Sequence, residues 1–184
     1  MADSRHDPVT RRSRADSAGR TGTAGDAPAV LVRRATIRDL DAVLALRLAL
    51  LREHPDHPIY GRLRKDVEAR ARELFATQLH TPAETIFLAE LGDTTAGILR
   101  CVEVIGSPLL EPARYAYVSS VYVRPELRRR GVLRSLVAAA AAWARDLELD
   151  QIRLHNVSGS QMAERAWSAL GFGVVEQVRV LSLP

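Results

Sequence analysis

YAYVSSVYVRPELRRRGVLRSLV occupies residues 115–137, and its reading decides the fold. The first part, rich in tyrosine and valine, predicts a β-strand. Pro125 ends it, since proline has no N–H for a sheet ladder. After Arg128, Arg129, Arg130 and Gly131 a helix is predicted at once, with Leu133, Leu136, Val137, Ala140, Ala141, Ala144 and Leu147 at a helical period. The order is strand, basic turn, helix. A helix start presents unpaired N–H groups and the positive end of the macrodipole, so this turn is suited to hold phosphate. Gly131 lets the backbone approach such a ligand closely. A solvated basic turn capping an ordinary helix is the plainer reading of the same residues.

Two spacings favour the phosphate. Residues 123–133, VRPELRRRGVL, resemble the acetyl-coenzyme A signature V-x-P-x-x-[RQ]-x-x-G-x-[GA] of the GCN5-related N-acetyltransferases (GNAT). Residues 160–172, SQMAERAWSALGF, are similar to that family's second motif, N-x-x-A-x-x-x-Y-x-x-x-G-F. Leu133 stands where Gly or Ala is usual, Ser160 where Asn is usual and Trp167 where tyrosine is frequent. The resemblance covers Val30 to about Leu183. It implies an α/β fold with a mixed, mostly antiparallel central sheet flanked by helices on both faces.

Composition sets the wider bounds. The 184 residues suit one domain with a sizeable core. The net charge is +4, the pI about 9.8, and Lys65 is the only lysine, so the basicity is nearly all arginine. Cys101 is alone, which excludes an internal disulfide and predicts a reducing compartment. No apolar run approaches a membrane span and no secretory h-region is seen, so a cytoplasmic location is expected. Residues 1–29 are polar and predicted to be a disordered tail, with residues 30–184 as the N-acetyltransferase domain.

Along the chain, Val30–Ala35 is predicted as a strand. Thr36 and Asp39 are placed to cap a helix with a Leu40, Leu44, Leu48, Leu51 stripe. That helix ends at His54-Pro55-Asp56-His57-Pro58. Two histidines without a further ligand nearby do not suggest metal. A second helix is predicted over about Arg62–Leu79, with Val67, Ala71, Leu74 and Phe75 on one face. Strands at Thr85–Leu91 and Ala96–Ile105 form a hairpin across residues 92–95. Beyond the long helix come a strand at Gln151–Asn156, a turn, a helix capped by Ser160 and ended by Gly171, and a last strand at Val174–Leu181. No Walker A or G-x-G-x-x-G loop is present, which argues against ATP and dinucleotides.

The resemblance implies acetyl transfer from acetyl-CoA to a primary amine of a small molecule or peptide. It implies that backbone groups of Val121 and Val123 hold the pantetheine arm, with a strand bulge near Tyr122 whose N–H meets the developing oxyanion. It further implies that Arg128 fills the motif's basic position, and that the N–H groups of Arg129, Arg130, Gly131, Val132, Leu133 and Arg134 hold the pyrophosphate. His54, Asp56, His57 and Tyr60 become candidate acceptor contacts. Where family members carry an acidic base on the central strand, this chain has Ser119 and Ser120. Ser119 is retained as a catalytic candidate beside Tyr117, which shares its face and could orient a water. Glu103, which alternation puts with Leu99, Cys101 and Ile105, is the substitute base. Without a strong base, amines of low pKa are the expected acceptors. Two other readings stay open: a non-catalytic acyl-CoA sensor, and an arginine-rich nucleic-acid-binding module. Pairing as a homodimer is also left open, and no metal is called for.

Overall fold

The computed structural model describes residues 29–157 and 159–181. The tail expected to be disordered therefore lies, but for Ala29, outside the described residues, as does Ser158 of the turn after the short strand.

Five strands form one sheet in the order β1 (Val30–Arg34), β2 (Glu84–Leu91), β3 (Thr94–Ile105), β4 (Arg114–Val123) and β5 (Ile152–Leu154). Every neighbouring pair is antiparallel except β4 and β5, which run parallel. The β2–β3 hairpin is tighter than expected. Its loop is Gly92-Asp93, with Thr94 already paired opposite Leu91. Helices α1 (Leu40–Arg52) and α2 (Val67–Gln78) cover one face, and α3 (Val132–Asp146) covers the other. This is the mixed, mostly antiparallel sheet with helices on both faces that the resemblance implied.

Strand alternation sorts the core into two layers. Leu99, Cys101, Ala116 and Val118 pack with Val132, Leu136, Ala140 and Trp143 of α3. Ile86, Leu88, Ile98 and Tyr122 pack with Val43, Leu46, Ala71 and Phe75 of α1 and α2. Leu136 is fully buried, so its truncation to alanine costs about 2–5 kcal/mol. Gly97 on β3 is where α3 comes closest. A Cβ there would stand 2.8 Å from the Tyr122 carbonyl oxygen and 3.1 Å from a Val132 methyl. Glycine thus sets how near the α3 N-terminus lies to β4.

Thr36 and Asp39 cap a short 3-10 turn, Ile37–Asp39, that leads into α1, and not α1 itself. Asp39 accepts from the Thr36 backbone N–H at 2.8 Å. Of the expected stripe only Leu48 is buried, while Val43 and Leu46 are the residues buried completely. On α2, Leu74 is exposed, and the helix begins at Val67 instead of near Arg62.

The short helix α4 (Gln161–Ser168) is capped by Ser160, whose hydroxyl accepts from the Ala163 N–H at 3.4 Å. The chain leaves it through a left-handed Gly171, with Gly171 N–H donating to Ser168 O and Phe172 N–H to Trp167 O. That double bond, with Phe172 packed edge-on against Trp167, is a Schellman termination. The strand predicted at Val174–Leu181 does not form. The segment is without regular structure and its apolar side chains are exposed. Its β-propensity is satisfied only by a free strand edge, and no strand pairs with it among the described residues.

Candidate active site

Parallel pairing of β4 and β5 stops after Val118 opposite Leu154. Beyond that point β4 continues to Val123, while His155–Val157 are no longer paired with it. One edge of Ser119–Val123 is thereby left open in the middle of the protein. A cavity of about 670 Å³, of the size that takes a small-molecule ligand, occupies this gap.

A bulge shapes the open edge. Arg100 pairs with Ser119 and Ile98 with Tyr122, so Ser120 and Val121 together oppose Leu99. Ser120 takes φ +61°, which costs a non-glycine residue about 1–3 kcal/mol and collects at functional sites. A bulge also leaves a backbone group out of the ladder, free for a ligand. The irregularity implied near Tyr122 thus sits one to two residues earlier.

Pro125–Leu127 forms a single 3-10 turn, after which Arg129 (φ +64°) and Gly131 (φ +83°) are left-handed. This double reversal aims the start of α3 back at the open edge. No side chain caps that helix, and its first returning bond is Ser135 N–H to Gly131 O. The N–H groups of Val132, Leu133 and Arg134 are therefore without helical partners. A Cβ on Gly131 would meet nothing within 4 Å, so the space over it is open. Arg128, Arg129, Gly131, Val132, Leu133 and Arg134 all line the cavity, whereas Arg130 does not. Arg128 is anchored, not free: its Nε donates to Val123 O at 3.0 Å and its guanidinium pairs with Glu53 at the end of α1. The opposite wall is α4. Its apolar face, Met162, Ala163, Ala166 and Trp167, lines the cavity.

The far end opens on the α1–α2 side of the sheet. Arg47, Gln78, Arg100, Tyr117 and Ser119 line it, with His54 and Tyr60 from the loop after α1. Asp56 and His57 of the same loop do not reach it. The His57 Nδ1 instead accepts from the Ile59 and Tyr60 N–H groups, both at 3.2 Å. Arg100 is fixed by Glu84, to whose Oε2 its Nε donates at 2.5 Å, and its Nη1 donates to Ser119 Oγ at 3.1 Å. With that hydroxyl already accepting from a cation, Ser119 is poorly suited to take a proton. Tyr117 Oη lies 2.9 Å from His155 Nδ1. Burial pushes the Tyr117 phenol pKa above its ordinary value, with Tyr60 and Tyr115 adding to the shift. The phenol is thus protonated at neutral pH, with its oxygen in hydrogen-bond reach of the imidazole.

Glu103 is not brought to this site. Alternation puts it on the α3 face with Leu99 and Cys101, while the cavity end bearing Tyr117 and Ser119 belongs to the other face. It pairs with Arg114 at 2.6 Å. Cys101 is fully buried, and burial pushes its thiol up to about 12, so it is an inert core residue. Sequence reasoning missed Arg47, Gln78, Arg100 and His155. Arg47 carried a signal, as a charge four residues after Val43 and one after Leu46 on a buried face, but arginine is too frequent in this chain for one to stand out.

A model of the acetyltransferase (GNAT) family matches residues 47–172, more than half of the chain. The chain belongs to the GNAT family of acetyltransferases. It is accordingly an acetyl-CoA-dependent acetyltransferase, and no curated protein matches it in sequence. Among solved structures it is similar to a predicted acetyltransferase with acetyl-CoA from Clostridium acetobutylicum. That likeness has 15% identity and a TM-score of 0.68 over 84% of this chain and 96% of the other. It is also similar to aminoglycoside 6'-N-acetyltransferase AAC(6')-IG from Acinetobacter haemolyticus, with 20% identity and a TM-score of 0.67 over 84% and 98%. A third is aminoglycoside N-acetyltransferase AAC(6')-Iy in complex with CoA, with 18% identity and a TM-score of 0.69 over 88% and 99%. At these identities the likeness is one of fold. No group of three or more metal-ligating side chains occurs among the described residues, and no helix there is long and apolar enough to cross a membrane.

Proposed function

We propose that residues 30–184 form a domain that transfers an acetyl group to a primary amine of a small molecule or peptide, at the gap between β4 and β5. The observation that carries this reading is the coincidence of an unpaired strand edge with an uncapped helix start on one cavity. Acetyl-CoA would supply an acetyl group activated as a thioester. The Val121 and Val123 backbone would pair with the amide-bearing arm as a strand does, and the N–H groups of residues 129–134 would receive the pyrophosphate. Backbone released by the Ser120 bulge would polarise the carbonyl. The apolar face of α4 excludes water from the arm.

Protons would leave through Tyr117 and His155. The Tyr117 oxygen can accept from the acceptor nitrogen as its own proton passes to His155 Nδ1, and His155 is exposed enough to release it. This relay is modest, so the acceptor's own basicity counts. An α-amine with a pKa of about 7.7–8 is neutral roughly a tenth of the time at pH 7, and a lysine amine at about 10.4 far less often. Low-pKa α-amines are therefore favoured. Aminoglycosides, the acceptors named for two of the similar folds, are polycations. Among the described residues Glu53 is the only carboxylate lining the cavity and Arg128 already neutralises it, so a polycation finds no countercharge there. Release of CoA thiol from acetyl-CoA, followed against a panel of peptides, amino acids, polyamines and aminoglycosides, tests the reading. Turnover confined to α-amines supports it; none with any amine would overturn it.

A further inference from the structure

The acceptor end of the cavity is positively charged in an unusual way. Arg47 and Arg100 both line it. Glu84 balances Arg100, but Arg47 forms no ion pair among the described residues. Its guanidinium lies 5.3 Å from the Phe75 ring centre, and its Nε is buried without a hydrogen-bond partner. Gln78, which lines the same cavity, has a buried Oε1 that is equally without one. Burial first, and Arg100 second, push the Arg47 pKa down to about 10. A guanidinium among leucines and a phenylalanine is costly when no anion faces it. A leucine or methionine would fill the same space at no such cost.

The geometry points to Arg47 as the site for a carboxylate carried by the acceptor itself, with Arg100 adding to the field. The substrate class is then an amine that also bears a carboxylate, such as a free amino acid or a short peptide with a free C-terminus. This deepens the acetyl-transfer reading and rests on it. The ligand would bring the one group this end lacks. It would also be anchored by its acid end while its amine is presented to Tyr117. A phosphate-bearing amine would meet the same charge, but a planar carboxylate suits a single half-buried guanidinium bidentately.

The test pairs peptides with their C-terminal carboxamides, so that charge changes while the distant amine stays nearly the same. A dipeptide and a tripeptide are each compared with the C-terminal amide, and one phosphorylated amine, phosphoethanolamine, is included. Binding is measured by calorimetry in the presence of CoA, where no turnover occurs, and turnover is measured separately with acetyl-CoA. A hydrogen bond to a charged group corresponds to about ten- to hundredfold in affinity, so at least one acid should bind ten- to hundredfold more tightly than its amide. In Arg47→Met the two should bind alike, with melting temperature unchanged or raised, and Arg47→Lys should recover part of the preference. Equal binding of acid and amide to the wild-type protein would overturn the proposal without recourse to any variant. So would a preference that survives Arg47→Met, or tighter binding of phosphoethanolamine than of every acid. If acids bind preferentially but no amine is acetylated, the carboxylate site stands and the acetyl-transfer reading fails. If α-amines are acetylated without regard to the carboxylate, that reading stands and this inference fails.

Discussion

Gly131 offers a substitution whose effects on folding and on ligand separate cleanly. It takes φ +83° at the head of α3, and a Cβ added there meets nothing within 4 Å. Any L-residue pays only the left-handed conformation, about 1–2 kcal/mol. For a chain of this size that is about 2–8 °C in melting temperature. Gly131→Ala and Gly131→Glu should both show this loss without ligand. Glu should not be the worse of the two, since a carboxylate is favoured by about 0.3–1 kcal/mol at a helix N-terminus. With acetyl-CoA at a hundred times its dissociation constant, binding stabilises by about 2.7 kcal/mol. By the same scaling that is about 5–11 °C. Thermal unfolding with and without acetyl-CoA is the assay. The wild type and Gly131→Ala should show that rise, and Gly131→Glu should show almost none, because its charge enters the space meant for pyrophosphate. An equal rise in Gly131→Glu and Gly131→Ala would refute the phosphate site.

Gly97→Ala should destabilise by about 1–3 kcal/mol, because the new methyl meets backbone at the Tyr122 carbonyl, and it should weaken CoA binding by moving α3. Unaltered stability and affinity would show that α3 has room to adjust. Arg33, at 2.7 Å, and the Thr36 N–H hold the Asp39 carboxyl far below the usual carboxylate range. A lowered pKa contributes stability that is complete above the unfolded value near 3.9 and is lost as pH falls below it. The melting-temperature gap between wild type and Asp39→Asn should thus be full above about pH 5 and shrink below pH 4; a gap independent of pH would contradict the assignment. Glu103→Gln should leave the pH–rate profile unchanged and cost about 1 kcal/mol, because the Arg114 end of the pair is half-exposed. Loss of a titrating limb in that variant would return Glu103 to the chemistry.

What the sequence made legible was local. The strand, basic turn and helix of residues 115–137 declared themselves because proline, glycine and the change of period lie in one run. Ser160 and Gly171 marked both ends of α4 for the same reason. The strand expected at Val174–Leu181 failed because alternation describes a segment's preference and not whether an edge is available to it. Glu103 was put on the correct face of β3, beside Leu99 and Cys101. Only the packing of α3 on that face, and of the cavity's far end on the other, shows that it does not line the cavity. The Tyr117–His155 contact spans 38 positions, and Arg47 comes to line one cavity with Arg100 because α1 lies across the sheet. Neither closeness is written in any window of the chain.

Amide hydrogen exchange with and without CoA tests the central claim most directly, namely that the coenzyme lies in the gap between β4 and β5 with its pyrophosphate on the start of α3. CoA should slow exchange at Val121 and Val123 and across residues 129–134, with little change at Glu103 or in β1. Binding of CoA that leaves residues 119–134 unprotected, or that protects a different surface, would contradict it.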